Sequence, residues 1–387
     1  MNNKMLHEWM ASYVDKNKFN GCSLLISQNN KILFNTGYGF IDKNKTKSFE
    51  TDSIVRIFSM TKAIVSTCLL ALLEKEKMPI ETKISSFITQ FEKCYAMVEK
   101  AKSINDVKKV STPSIGQLLN HTSGLSYFFN EDLVGSEYLK KDITTAPNNS
   151  NLEDIVKKLA EVPLAFEPGL FWNYSVGIDI AGRIIEIITG KSLDVFLEDF
   201  LFQPLEMTDT SFYLPDEKKE RFADCFFFEG MTSNFRPLEN LYKNFSYNKS
   251  EVTNFSGGSG LLSTATDYAR FTDLLINDGK LGGRIFLPES VMRNIKYNSL
   301  SNDIASIGVK SFAQMSTKGM GHSLAGSVII KPNLEFPSNV NDFGWGGMGS
   351  NYFWIDFTNQ RSTIFMTQLI PSSAYSNRKE LKSLTLY

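Results

Sequence analysis

The chain has 387 residues, 42% of them apolar and 21% charged, with a formal net charge of −1. That length supports one large core or two lobes, and the near-neutral balance, with no basic block, offers no general attraction to nucleic acid or to an anionic membrane. Four scattered cysteines (Cys22, Cys68, Cys94, Cys225) and three dispersed histidines (His7, His121, His322) show neither Cys-x-x-Cys nor metal-ligand spacing, so reduced thiols, no metal and no cofactor are expected.

At the N-terminus Leu6, Trp9, Met10, Tyr13 and Val14 fall on one helical face. His7, Glu8 and Asp15 interrupt any secretory h-region. No apolar run reaches the roughly 18 residues of a membrane span, so a cytoplasmic location is expected. Cys22 to Ile26 and Ile32 to Phe34 read as strands around the turn Gln28-Asn29-Asn30-Lys31, with Gly37-Tyr38-Gly39 closing the hairpin. A long apolar run, Ala63 to Leu73, predicts a buried helix that opens at Ser59-Met60-Thr61-Lys62 and ends near Lys77, before Pro79.

From about residue 80 to 255 the pattern is helical and rich in loops. Ser114-Ile115-Gly116-Gln117 and Ser150-Asn151-Leu152-Glu153 fit capping boxes, the second followed by the stripe Leu152, Ile155, Val156 and Leu159. Val176 to Ile188 predicts a helix stopped by Gly190. Ser192 to Leu201 predicts another, ending before Pro204, and 212–255 reads as a polar, aromatic surface excursion. Strands return at Ser327 to Ile330, Tyr352 to Ile355 and Thr363 to Leu369, the last two joined by Asp356 to Arg361, and Arg378 to Leu386 predicts a final helix. Strands at both ends with helices between imply an α+β fold. One antiparallel sheet, flanked by helices, is built from both termini (1–79 and 256–387), with a mainly helical lobe (80–255) inserted.

Ser59 and Lys62, three residues apart, share a helix face, which sets a hydroxyl beside an amine. The N–H groups of the helix start point toward developing negative charge. That is the minimum equipment of an acyl-transferring serine. Ser-x-x-Lys recurs at Ser246 and Ser376, but in polar, turn-like surroundings without a buried helix behind it. Serine alone at a helix start is equally a good N-cap, and Lys62 can serve as a base only when burial or a positive field holds it neutral. Pro168 to Ser175 is a turn that presents Tyr174 just ahead of a helix, where its phenol is either a proton relay or the rim of a core tyrosine. Phe343-Gly344-Trp345-Gly346-Gly347-Met348-Gly349 precedes a strand. Its glycines permit close approach, and an N–H after the Gly pair can supply an oxyanion donor.

Ser59-Met60-Thr61-Lys62, Tyr174-Ser175-Val176 and Trp345-Gly346-Gly347 together resemble the three motifs of serine hydrolases related to class C β-lactamases. Supporting stretches lie in the family's order: Leu118 to Leu125, Phe166 to Gly169, Pro204 to Thr210 and Gly257 to Ala265. The resemblance implies a β-lactamase/DD-peptidase-like fold with its site between sheet and helices. It also implies Ser59 as nucleophile, Lys62 as base, Tyr174 as proton relay, and the N–H groups of Ser59 and Met348 as oxyanion hole. Trp345, Gly346, Gly347, Val176 and Tyr127 would border the substrate, with Phe128 and Phe129 adding apolar wall. Lactamases of this type usually carry Asn where Val176 stands and Lys where Trp345 stands. Losing both polar handles argues against lactams or peptidoglycan peptides, and the Trp-Gly-Gly form is similar to that of family VIII carboxylesterases. The expectation is a carboxylesterase acting on a small-molecule ester through an acyl-serine. The alternatives are a lactam-cleaving β-lactamase or D-amino-acid peptidase, an acyltransferase, and a non-catalytic scaffold.

Overall fold

The computed structural model describes residues 2–144, 146–148, 150–229, 235–238, 246–313, 315–333 and 337–385. Seven strands form its main sheet: β1 (Gly21–Gln28), β2 (Lys31–Gly39), β3 (Met320–His322), β4 (Ser327–Ile329), β5 (Phe343–Gly346), β6 (Tyr352–Asp356) and β7 (Arg361–Thr367). They lie in the order β3-β4-β5-β6-β7-β1-β2, and every neighbouring pair is antiparallel. The N-terminal hairpin is joined to the C-terminal strands through β1 and β7, with Cys22 opposite Thr367 and Gln28 opposite Arg361.

The main helices in chain order are α1 (Asn3–Val14), α2 (Thr61–Lys75), α3 (Ile115–Leu119), α4 (Leu152–Ala160), α5 (Gly177–Thr189), α6 (Ala265–Ile276) and α7 (Asn377–Thr385). Helices cover both faces of the sheet, which is why β1 is buried almost throughout. Alternate residues serve different cores. Leu24 and Ile26 pack with Leu6, Met10 and Phe365 on the α1 side, whereas Leu25 joins the cluster that holds Ile64 and Phe353 on the α2 side. Helix α2 is buried at every position from Thr61 to Leu73. It is apolar all round because it runs through the middle of the molecule.

Local signals set several boundaries. Ser114 and Gln117 form the predicted capping box, with bonds of 3.3 and 2.9 Å. Gly190 ends α5 in the left-handed region, φ +67°. Other expectations shift. Asn151, not Ser150, caps α4, accepting from the Asp154 N–H. Gly37-Tyr38-Gly39 continues β2 because Gly37 leaves room for the backbone at Phe49, whose carbonyl a methyl group would strike. The helix after Ser192 changes from α (Leu193–Leu197) to a π turn (Glu198–Phe202). Thr363 to Leu369 is two elements, since Leu369–Ile370 leaves the sheet and pairs in parallel with Phe226–Phe228. Residues 230–234 and 239–245 of the 212–255 stretch, and Leu386, lie outside the described residues. Among the described residues no helix is long and apolar enough to cross a membrane.

Candidate active site

Ser59 sits in a single 3₁₀ turn, Phe58–Met60, between the short strand Val55–Arg56 and α2. The strand is held by Leu262–Ser263. Phe58 has φ +45°, an unfavourable conformation for a bulky side chain. Its ring is buried against Cys225, Leu238 and Ile370, and that packing offsets the strain. The α-helix begins at Thr61, two residues later than the motif suggests, and Met60 provides no side-chain cap. The Ser59 hydroxyl is therefore not spent on a cap. It is partly exposed, accepts the Tyr174 O–H at 2.7 Å and faces Lys62 Nζ at 3.4 Å.

Lys62 is 2% exposed. Its three N–H donors are directed at the Gly258 carbonyl (2.6 Å), the Tyr127 hydroxyl (2.8 Å) and Ser59 Oγ. Burial, with Tyr174 and Asp179 nearby, pushes the Tyr127 phenol well above its ordinary range, so it remains protonated and accepts from the lysine. Gly258 is held in turn by Asp179, whose Oδ1 accepts from the Gly258 N–H at 3.1 Å and from Ser256 Oγ at 2.5 Å. Burial raises the Asp179 carboxyl, opposed by the charge of Lys62 and by these bonds. Sequence reasoning gave Asp179 no role. The available signal was a carboxylate between Ile178 and Ile180, in the apolar stripe of α5.

Tyr174 closes the third side. Asn130 Nδ2 donates to its carbonyl at 3.0 Å, and the Val176 N–H donates to Ser126 O at 3.1 Å, which fixes the loop ahead of α5. Its ring meets His121 edge-on at 4.9 Å, Phe312 at 5.0 Å and Trp345 at 5.6 Å. His121 Nδ1 accepts the Ser175 N–H at 3.3 Å, and His322 Nδ1 donates to the Ser323 carbonyl at 2.6 Å. The two rings are 5.1 Å apart. Burial lowers both imidazoles, His322 to about 4. They are neutral supports for Tyr174 and Trp345 rather than titrating partners of the serine.

Three of the residues expected to border the substrate are largely buried. Tyr127, Val176 and Trp345 are 3%, 2% and 8% exposed. Tyr127 turns its hydroxyl to Lys62. Trp345 lies flat against Phe312 and His121. Large rings amid other rings gain more from burial than from lining an open cleft. The exposed apolar groups near the site are instead Phe129, stacked on Tyr127 at 4.6 Å, and Met348, with Phe312 partly exposed. The glycines of the third motif are required by contact. A methyl group at Gly347 would lie 2.4 Å from the Ile57 carbonyl, and one at Gly349 would lie 2.8 Å from the Phe58 ring. The Gly347–Met348 peptide thus packs against the turn that carries Ser59. At the other two Ser-x-x-Lys tetrapeptides, Ser376, Lys379 and Lys249 are exposed and Ser246 is partly exposed.

An antiparallel sheet between helices, with Ser-x-x-Lys at the head of a buried central helix, defines the serine β-lactamase and penicillin-binding-protein class of folds. The Beta-lactamase family model matches residues 6–384, and the chain belongs to that family. It is 24% identical over 363 residues to esterase EstB of Burkholderia gladioli, covering 90% of this chain and 85% of that protein. It is 26% identical over 205 residues to a lovastatin esterase of Penicillium rubens, 52% of this chain and 50% of the other. Among solved structures it is similar to EstCE1, a hydrolase with promiscuous acyltransferase activity (TM-score 0.80, 20% identity, 98% of this chain and 96% of that one). Simvastatin synthase LovD from Aspergillus terreus is similar to the same degree (TM-score 0.80, 18% identity, again 98% and 96%). At these identities the structural likenesses establish the fold.

Proposed function

We propose that the protein is a serine carboxylesterase that cleaves small-molecule esters through an acyl-Ser59 intermediate. The observation that carries this reading is the convergence on Ser59 Oγ of the Tyr174 hydroxyl at 2.7 Å and Lys62 Nζ at 3.4 Å, from segments 115 and 3 residues away. Ser59 attacks the ester carbonyl as its proton passes to the Tyr174 oxygen and the phenol's own proton passes on to the ester's alkoxy oxygen. Lys62, held by Gly258 and Tyr127, faces Ser59 Oγ as a hydrogen-bond donor to charge that builds on oxygen. The N–H groups of Ser59 and Met348 stabilise the tetrahedral oxyanion, each worth about 3–4 kcal/mol in comparable sites. The alcohol leaves carrying the relayed proton, and the same relay run from an attacking water through Tyr174 to Ser59 Oγ breaks the acyl–serine bond and releases the acid.

The relatives named as esterases support an ester over a lactam. So do Val176 and Trp345, neither of which offers a polar handle to an acidic substrate. An acyltransferase differs only in the acceptor that meets the acyl-enzyme, and the apolar rim of Phe129 and Met348 suits an organic alcohol or amine as well as water. We read the chain as two lobes, 1–79 with 256–387 and the inserted 80–255. The sheet strands and Ser59, Lys62 and Gly258 come from the first, Tyr127 and Tyr174 from the second. The buried thiols of Cys22, Cys68 and Cys94 support a reducing, cytoplasmic setting. The test is labelling by a fluorophosphonate together with turnover of a short p-nitrophenyl ester. Both should vanish in Ser59→Ala, and turnover retained by the folded variant would refute the acyl-serine.

A further inference from the structure

Arg378, on α7, is 7% exposed. No carboxylate among the described residues pairs with it, and burial draws its guanidinium down to about 10. A cation taken out of water without a counter-ion costs several kcal/mol, so its position calls for a physical reason. Its Nη2 donates to the Gly347 carbonyl at 3.2 Å and reaches the Asn351 carbonyl at 3.5 Å. The Asn351 carbonyl also accepts the Gly347 N–H at 2.8 Å. Gly346 is what admits the guanidinium, since a methyl group there would lie 2.5 Å from Nη2. Opposite Gly346 across the sheet stands Tyr352, whose ring centre is 5.4 Å from the guanidinium carbon.

The Gly347 carbonyl and the Met348 N–H are the two ends of one planar peptide unit and point in opposite directions. A charge-assisted bond to the carbonyl therefore fixes where the N–H points. It also withdraws electron density along the amide, which makes that N–H a better donor. We propose that Arg378 is a positioning residue for the oxyanion hole: from behind β5 it clamps the 347–348 peptide with its N–H toward the Ser59 turn and lends positive charge to the developing oxyanion. This rests on Ser59 as nucleophile and Met348 N–H as oxyanion donor. A purely structural clamp between α7 and the sheet is the competing account.

The two accounts part in Arg378→Met, an apolar side chain of similar length. Positioning predicts that kcat on a short p-nitrophenyl ester falls about 10–100-fold, somewhat less than for loss of a donor itself. KM should stay within about threefold, and affinity for phenylboronic acid, a tetrahedral mimic once bound to serine, should fall with kcat. The melting temperature should hold or rise, because an unpaired buried charge has gone. Arg378→Lys should recover part of kcat. A structural clamp predicts a lower melting temperature with kcat and boronate affinity of the folded enzyme intact, and that result overturns the inference. If the Met variant does not fold, Arg378→Gln decides: kcat and boronate affinity within twofold of wild type overturn the proposal, and a tenfold or larger loss of both supports it. The underlying reading fails separately. If wild type is not labelled by a fluorophosphonate at Ser59, that reading falls and Arg378 with it. If wild type is labelled and the Arg378 variants keep full kcat, only the Arg378 inference falls.

Discussion

Removing one oxygen from Tyr174 probes the site most directly. In Tyr174→Phe the ring keeps its neighbours His121, Phe312 and Trp345, and the hydroxyl lost has its bond at 2.7 Å to a partly exposed serine. Folding should therefore change by less than about 1 kcal/mol, and KM should barely move. What disappears is the proton partner of the nucleophile. Lys62, 3.4 Å from Ser59 and already directed at Gly258 and Tyr127, is poorly placed to replace it. General acid–base catalysis of this kind is worth about 10²–10⁴-fold, or about 3–5 kcal/mol of transition-state stabilisation. Stopped-flow release of p-nitrophenol from a short ester separates acylation from deacylation. Both should slow, because one group serves both steps. A variant that melts like wild type and keeps kcat within about tenfold would refute Tyr174 as the relay and leave the lysine as base.

Other expectations are equally specific. Gly347→Ala should lower kcat at least about tenfold with little change in secondary structure by circular dichroism, since the new methyl group must push the peptide off the Ile57 carbonyl, 2.4 Å away, and with it the oxyanion donor. Wild-type kcat in that variant would remove the loop from the mechanism. Trp345→Lys, which restores the residue usual in lactamases, should not confer hydrolysis of a chromogenic cephalosporin. It should destabilise the fold by about 3–5 kcal/mol in urea melts, because it places a charge among His121, His322 and Phe312. A stable, lactam-cleaving variant would overturn that account. His322 is held at about 4, against 6.5 for a free imidazole. The unfolded chain thus takes up a proton that the folded one refuses. Its contribution to stability is complete above about pH 6.5 and is lost as pH falls, by about 3 kcal/mol at pH 4. His121 acts in the same direction. Between pH 7 and 4.5, urea melts of His322→Gln should lose less stability than wild type does, and equal losses would contradict the assignment.

Much of the architecture is legible in local pattern. Short apolar runs bounded by turn residues mark β1, β6 and β7. The unbroken apolar run behind Lys62 marks a helix buried on all sides, and Ser114 with Gln117 marks a helix start. These signals work because they rest on the length of an apolar run, on the turn residues that bound it and on bonds between near neighbours. Strands too short to alternate, Met320–His322 and Phe343–Gly346, escape them. So does the departure of Leu369–Ile370 toward Phe226, which is set by a partner far away in the chain.

The sequence by itself determined which chemical groups are present and roughly where each begins an element: a hydroxyl and an amine three residues apart, a phenol before a helix, a glycine-rich turn before a strand. Only the tertiary structure decided who touches whom. It made Tyr127 the partner of Lys62, packed Trp345 against Tyr174, left Phe129 and Met348 exposed, and brought Asp179 to the Gly258 N–H and Arg378 to the Gly347 carbonyl. Hydrogen bonds reach about 3 Å, whereas the groups they join here lie up to 196 residues apart along the chain. No local period carries information over such a separation, and it is fixed only when the sheet and helices pack.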